Sequence, residues 1–358
     1  MTETHKTKIL IVEFYNWHDE CLYTTCKLLK NSNINIALAL NEDIRSRTQN
    51  FFSDVANEII YLPFRKGFKG LTAIWKLYRY LIKNGFTHIC FNTASGSEAL
   101  KFFMLPMPKH IKFIGTLHNV AKLSTSSGQR FITKHMDGYI LLNDILRERY
   151  GQLCKLPATT LYPIIYPESP AGNIQKPKDE IWIAIPGSLA LSRRDYLFLV
   201  PKTTNGLKYR KEVKFIILGN RLKADGDKVY SEVCKAGVQD NFVFFDGFVP
   251  NNIFLSYMQQ CDYLMPLVHP KKEEYRKYTT EKISGTYNLA FAYKKPMLCP
   301  EEMAVYEDFR DTSIFYTYDN FECFINGLSN NGTFSLYRLE KWKEEVQQNR
   351  LIEFINNL

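Results

Sequence analysis

Short apolar runs recur along the whole of this 358-residue chain, and stretches of helical periodicity separate most of them. In the first half, the runs at 8–14, 34–40, 58–62, 88–92, 112–117, 138–142 and 160–165 read as strands. Amphipathic patterns such as 21–30 and 71–84 lie between them. This alternation is highly constraining. Strands joined through helices lie parallel, and the helices cover the sheet on both faces, which is the doubly wound α/β arrangement. A second series at 182–185, 213–218, 242–245, 263–267, 297–299 and 314–318 repeats the scheme. Between the two series, residues 162–177 hold four prolines and a glycine, a composition that marks a linker. The expected organisation is one domain at 1–165, a linker at 166–179, a second domain at 180–334, and a charged helix within 335–358 packing back on the first domain.

With 45% hydrophobic and 23% charged residues, the chain can furnish two cores and a polar surface. No apolar run approaches the ~20 residues of a membrane span. The first apolar run is too short for a signal peptide and lacks a small-residue cleavage site, so a cytoplasmic protein is expected. The eight cysteines form no Cys-x-x-Cys pair and no zinc-like cluster, so they are expected to be reduced and mostly buried, with no metal site.

A net charge of +9 suits an anionic partner. Residues 64–83 carry six cations, no acid and many aromatics, and 101–112 adds an apolar–basic patch. Such segments suit an anionic membrane surface, here the inner face of the cytoplasmic membrane. They equally suit a helix packing its Leu, Ile and Trp face on the sheet. No nucleic-acid motif is present, and no nucleic-acid partner is expected.

The segment Glu281-Lys-Ile-Ser284-Gly285-Thr286 precedes an apolar helix start. Backbone N–H groups there can cradle a phosphate, because the first helical turn leaves donors unpaired and its dipole favours an anion. Glu281 can then hold hydroxyls of whatever the phosphate carries. The same residues also read as a glycine-containing loop before an ordinary core helix. Asp225-Gly-Asp227, which has the form of a metal-binding Asp-x-Asp, reads as a solvated turn.

Four pieces of the second half, in order, resemble the nucleotide-sugar domain of GT-B-fold glycosyltransferases, nearest the group 1 type of bacterial polysaccharide and lipopolysaccharide synthesis. They are Ile185-Pro-Gly187-Ser188 with Arg193-Arg194; Lys214 to Gly219-Asn220; Phe242 to Gly247-Phe248-Val249-Pro250 with the strand ending at Pro266; and Glu281 to Pro296. The resemblance implies two Rossmann-like doubly wound domains facing a central cleft. It implies transfer of a sugar from a nucleoside-diphosphate donor to a glycan or lipid-linked acceptor, without cofactor or metal. The donor would meet Gly187, Ser188, Arg193, Arg194, Asn220, Phe248, Lys282, Ser284, Gly285 and Thr286, with at least one of the two arginines on phosphate. Glu281 would hold donor sugar or ribose.

In the first half, Gly115-Thr-Leu-His118-Asn119 resembles the strand end whose histidine reaches the sugar, which gives His118 a sugar contact or an acid/base role. The first strand-to-helix turn carries His18, Asp19 and Glu20. His18 or Glu20 suits a general base toward an acceptor hydroxyl, and Asp19 suits a helix cap. One departure stands out. The retaining members carry a second glutamate where this chain has Leu289, so a retaining outcome does not carry over. Two alternatives remain: an enzyme of the same fold that isomerises a nucleotide sugar, and a non-catalytic glycan-assembly partner.

Overall fold

The computed structural model describes residues 7–32, 34–46, 48, 51–65, 67–167, 174–207, 210–329 and 335–358. It divides into two compact units. The first comprises Met1–Pro167, Glu281–Ile283 and Glu340–Leu358, and the second comprises Glu168–Thr280 and Ser284–Leu339. Residues 168–173 of the expected linker lie outside the described residues.

The first unit is built on β1 (Lys8–Glu13), β2 (Asn35–Asn41), β3 (Glu58–Leu62), β4 (His88–Phe91), β5 (Lys112–Leu117), β6 (Gly138–Leu141) and β7 (Ala158–Thr160). Their order across the sheet is β3-β2-β1-β4-β5-β6-β7, every pair parallel. The second unit uses β8 (Ile181–Pro186), β9 (Val213–Asn220), β10 (Phe242–Phe245), β11 (Tyr263–Leu264), β12 (Met297–Pro300) and β13 (Ser313–Tyr316). Its order is β10-β9-β8-β11-β12-β13, again all parallel. Both sheets thus reverse direction beside their own first strand, between β1 and β4 and between β8 and β11. At such a switch point the following loops diverge and leave room for a ligand beyond the carboxyl ends of the strands.

Burial explains the strand composition. Residues 9–13 of β1 are all buried, because helices cover both faces of a parallel sheet. Ile9, Ile11, Ile36, Leu38 and Leu40 share one core with Leu22, Cys26 and Leu29 of the helix Asp19–Asn31. Leu351, Phe354 and Ile355 of the C-terminal helix Glu344–Asn356 join that core. The second core gathers Ile183, Ile185, Phe215 and Ile217 with Tyr196 and Leu199.

Two strands differ from expectation. The strand expected at 160–165 lies at Ala158–Thr160. Pro163 has no N–H to give to a ladder, and the Tyr162 N–H donates to Gln347 Oε1 at 3.0 Å instead. The strand expected at 263–267 stops after Leu264, because Pro266 lacks a donor and Leu267 turns left-handed at φ 52°.

Candidate active site

In the first unit the switch point collects four ionisable groups, three from the end of β1 and its following turn and one from the end of β5. β1 ends in Glu13, a fully buried carboxylate. Three donors converge on it: Tyr15 N–H at 2.8 Å, Asn92 Nδ2 at 2.6 Å and the Thr93 hydroxyl at 2.8 Å. Asn92 and Thr93 follow β4, so the neighbouring strand end completes the pocket. Burial pushes the Glu13 pKa up to about 7, against the opposing pull of His18 and the three hydrogen bonds.

The turn after β1 brings His18 back over this point. The His18 backbone is left-handed, at φ 68°, a conformation that is uncommon for a residue with a Cβ. Its carbonyl accepts from Asn92 Nδ2 at 2.9 Å, which holds the turn in place. The expected cap is corrected here. The helix begins at Asp19, and the cap position is His18, whose side chain makes no capping bond. With the backbone bent this way, the imidazole faces Glu20 instead, Nδ1 lying 3.5 Å from Oε1. Burial disfavours the His18 cation, but Glu20, Glu13 and Asp19 together outweigh it and raise its pKa above 6.5. Burial also works against the Glu20 carboxylate, but the bond to His18 and the His18 charge prevail and hold Glu20 at about 2.

His118, just past β5, stacks on His18 with ring centroids 3.7 Å apart and planes 16° from parallel. Burial, then the His18 charge, lower its pKa to about 3, so it is neutral at physiological pH. Its Nε2 lies 2.7 Å from the Asn92 carbonyl. A carbonyl can only accept, so the proton sits on Nε2 and Nδ1 carries a lone pair. Nδ1 is buried with no hydrogen-bond partner among the described residues. Beside these groups Trp17 and Tyr15 stack at 4.9 Å, with Trp17 half-exposed.

Glu281 and Lys282 group with this unit. The Val120 N–H donates to the Glu281 carbonyl at 2.8 Å, and Asn119 and Lys282 form an antiparallel bridge. The main chain of this segment thus lies along the loop that follows His118.

In the second unit the end of β8 is shaped by close backbone approach. Gly187 has φ 112°, and both Gly187 and Ser188 are exposed. A Cβ on Gly219 would stand 2.1 Å from the Gly187 carbonyl oxygen and 2.7 Å from Leu189 Cδ1. Gly219→Ala is therefore expected to destabilise this unit by about 1–3 kcal/mol, because the two strand ends must separate. Urea unfolding of the full chain would measure it.

Arg194 and Arg193 have different roles. Arg194 is buried, and its guanidinium donates to the Pro266 carbonyl at 3.0 Å, the Pro186 carbonyl at 2.5 Å and the Thr286 hydroxyl at 3.1 Å. It ties the ends of β8 and β11 to the start of helix Gly285–Tyr293. Arg193 is exposed and lies against Tyr278, donating to its hydroxyl from Nε at 2.9 Å and also from Nη2. Ser284 caps the helix through Oγ, which accepts from the Thr286 N–H at 3.3 Å, and Gly285 is exposed. Gly187, Ser188, Arg194, Ser284, Gly285 and Thr286 are thus brought together. Asn220 closes the turn after β9 by accepting from the Leu222 N–H at 2.9 Å, and Phe248, past β10, is 70% exposed. Leu289 is buried, which fits the apolar face of its helix. Asp225 is more than a solvated turn residue, since it accepts from the Leu191 N–H at 2.8 Å, while Asp227 pairs with Arg221 at 2.8 Å.

Sequence reasoning missed Glu13, Asn92, Thr93 and Tyr278. A signal existed for Glu13 alone: a carboxylate closing an otherwise apolar strand. Missed as well was His269, fully buried between Asp195 (3.2 Å) and the Tyr316 hydroxyl (2.6 Å). Asp195 in turn accepts from Lys272 at 3.1 Å and donates its N–H to the Leu267 carbonyl, which steadies the turn after β11.

No protein-family model matches the chain, and no curated protein matches it in sequence. Solved structures do. HepE from Anabaena, in complex with UDP and glucose, is 12% identical with a TM-score of 0.62, over 98% of this chain and 100% of that one. The lipopolysaccharide outer core galactosyltransferase WaaB is 13% identical with a TM-score of 0.55, over 97% and 99%. The UDP-GlcNAc 2-epimerase from Methanocaldococcus jannaschii is 9% identical with a TM-score of 0.57, over 98% and 100%. At such identities the likeness is one of fold. The chain has the GT-B fold, with two Rossmann-like domains of parallel sheet and alternating helices.

Proposed function

We propose that this protein is a glycosyltransferase that moves a sugar from a nucleoside-diphosphate donor to a hydroxyl of a glycan or lipid-linked acceptor. The observation that carries the reading is the array of Glu13, His18, Glu20 and His118 at the switch point of the first unit. Gathering this many ionisable groups around one fully buried carboxylate, the other three partly buried, serves no packing purpose, and such groups are characteristic of sites that move protons. In this reading neutral His18, oriented by ionised Glu20, takes the acceptor proton as the hydroxyl oxygen attacks the anomeric carbon. The bond to the nucleoside diphosphate breaks in the same step. His118, neutral and stacked on His18, supports the base and borders the sugar. In the second unit the exposed backbone of Gly187, Ser188 and Gly285 and the guanidinium of Arg193 receive the diphosphate. Arg194 holds that backbone in place without touching the ligand. Glu281 and Lys282 bind donor hydroxyls and charge, and Asn220 and Phe248 border the nucleoside.

Solved epimerases share this fold, so isomerisation of a nucleotide sugar is the second reading. The test begins with a thermal-shift series of UDP, GDP, dTDP, CMP and their sugars. A ligand at ~100 times its dissociation constant adds about 2.7 kcal/mol of stability. A shift with one nucleoside diphosphate supports the donor site and names the base. The matching sugar nucleotide is then incubated with and without glycan acceptors. Nucleoside diphosphate released only with acceptor supports transfer, and an isomerised sugar formed without acceptor supports the second reading. No shift with any nucleotide would sink both and favour a non-catalytic assembly partner.

A further inference from the structure

We propose that helix Phe68–Lys83 is a docking surface for an anionic lipid bilayer. The helix already satisfies its packing. Gly70, Ala73, Ile74, Leu77 and Leu81 are buried at helical spacing, which is a complete inward face. A second apolar stripe nevertheless runs along its outer side. Phe68 is 80% exposed, and Leu71, Trp75 and Ile82 are about half exposed. These positions recur every three or four residues and so share one face. Tyr78 lies in the same stripe, its ring 5.6 Å from that of Trp75. The Tyr78 hydroxyl donates to the Pro106 carbonyl at 2.7 Å, which fastens the loop carrying the 72% exposed Met104 to the helix.

The rim of this stripe has a single sign. Lys69, Lys76, Arg79 and Lys83 are exposed, and none has an ion-pair partner among the described residues. The helix contains no acid. Arg65 does not contribute, since Glu42 and Asp43 neutralise it at 2.6 and 2.9 Å. Lys101 is likewise taken by Glu98 at 3.3 Å, and Lys66 lies outside the described residues. Scattered exposed apolar residues are ordinary, but a continuous stripe of large ones bordered by unpaired cations is the pattern of a helix lying in a lipid interface. Charge decides the occupant. A symmetric second copy would press this cationic rim against its own image, whereas anionic headgroups neutralise it. The stripe then enters the acyl boundary while the lysine stems reach back to the headgroups.

The proposal does not depend on glycosyl transfer, and its test is separate. The full chain is sedimented with mixed phosphatidylglycerol–phosphatidylcholine vesicles and with phosphatidylcholine vesicles. Binding is expected to the mixed vesicles, to be weak on phosphatidylcholine alone, and to fall at high salt. Lys76→Glu with Lys83→Glu should lower it at least about tenfold, because two attractive charges become repulsive. Phe68→Ser with Trp75→Ser should lower it by a similar factor. All four side chains are exposed, so each variant should melt with the wild type, and nucleotide binding should not change. The proposal is overturned if the folded wild type stays in the supernatant with mixed vesicles, or if the variants bind as well as it does. It is also overturned if sedimentation velocity finds a dimer that Trp75→Ser dissociates, since a second copy then covers the stripe.

Discussion

His18→Asn is expected to lower kcat by about 10²- to 10⁴-fold, the usual contribution of a positioned general base. Asparagine is the informative replacement. It tolerates the left-handed backbone that His18 adopts at φ 68°, so the turn and the start of helix Asp19–Asn31 survive. A melting curve within a few degrees of wild type, with turnover lost, identifies a chemical role. Wild-type turnover in that variant removes His18 from the mechanism. The pH profile adds a second reading of the same group. His18 must be neutral to accept a proton, and its pKa lies above 6.5. Activity should therefore fall as pH drops through that raised value. Glu13, with a pKa of about 7, titrates in the same range and lowers the His18 pKa as it takes up its own proton, so the acid limb should be broader than one ionisation gives. Glu20→Gln removes the strongest influence raising the His18 pKa. Its acid limb should move to lower pH even as the maximal rate falls, because the imidazole loses its orienting carboxylate. An unmoved limb would mean that a different group accepts the proton.

Arg194→Met should produce the largest loss of stability among these substitutions, about 3–6 kcal/mol. Methionine keeps much of the length and flexibility of arginine but donates nothing. The carbonyls of Pro186 and Pro266 and the Thr286 hydroxyl then lose a charged donor inside the protein. Each is buried too deeply to turn to water without opening the second sheet. Arg193→Met provides the comparison. It loses only the part-buried contact with Tyr278, and its stability should fall by no more than about 1 kcal/mol. Urea unfolding followed by two probes would show whether the second unit loosens on its own, since the two units need not melt together. If Arg194→Met unfolds like the wild type, the guanidinium is not part of the framework, and a direct phosphate contact becomes its better role. In the arrangement proposed, Arg193→Met instead weakens nucleoside-diphosphate binding with at most that small loss of stability.

The two arginines also show where sequence reading stops. Both follow the same glycine turn, and one-dimensional spacing does not distinguish a guanidinium facing solvent from one facing the protein. The strands posed no such difficulty. Among the described residues, twelve of the thirteen strands were legible, because a parallel strand covered on both faces is a short, nearly continuous apolar run, and burial imposes that composition locally; the exception is β7, the Ala-Thr-Thr of Ala158–Thr160. Errors arose where a single backbone group found a partner far along the chain. The Tyr162 N–H, bonded to Gln347 185 positions away, moved the end of β7.

The candidate array at the end of β1 divides in the same way. His18, Glu20 and His118 could be read because polar residues at strand-to-helix turns are conspicuous. The cap assigned to Asp19 failed because the backbone turns left-handed one residue earlier, and nothing in the residue types announces that. Glu13 was visible only as one charge closing an apolar strand. Its pKa of about 7 arises from burial at the strand end, which outweighs the opposing pull of His18 and of hydrogen bonds that include those from Asn92 and Thr93, 79 and 80 residues away. The amino-acid sequence by itself determined the alternation of strand and helix, and with it two parallel sheets whose strand ends carry the polar turns. The tertiary structure alone decided which of those polar groups are dry, which face one another and which hold the frame together. Hydrophobic periodicity is local, whereas desolvation and hydrogen-bond partnership depend on neighbours that only folding supplies.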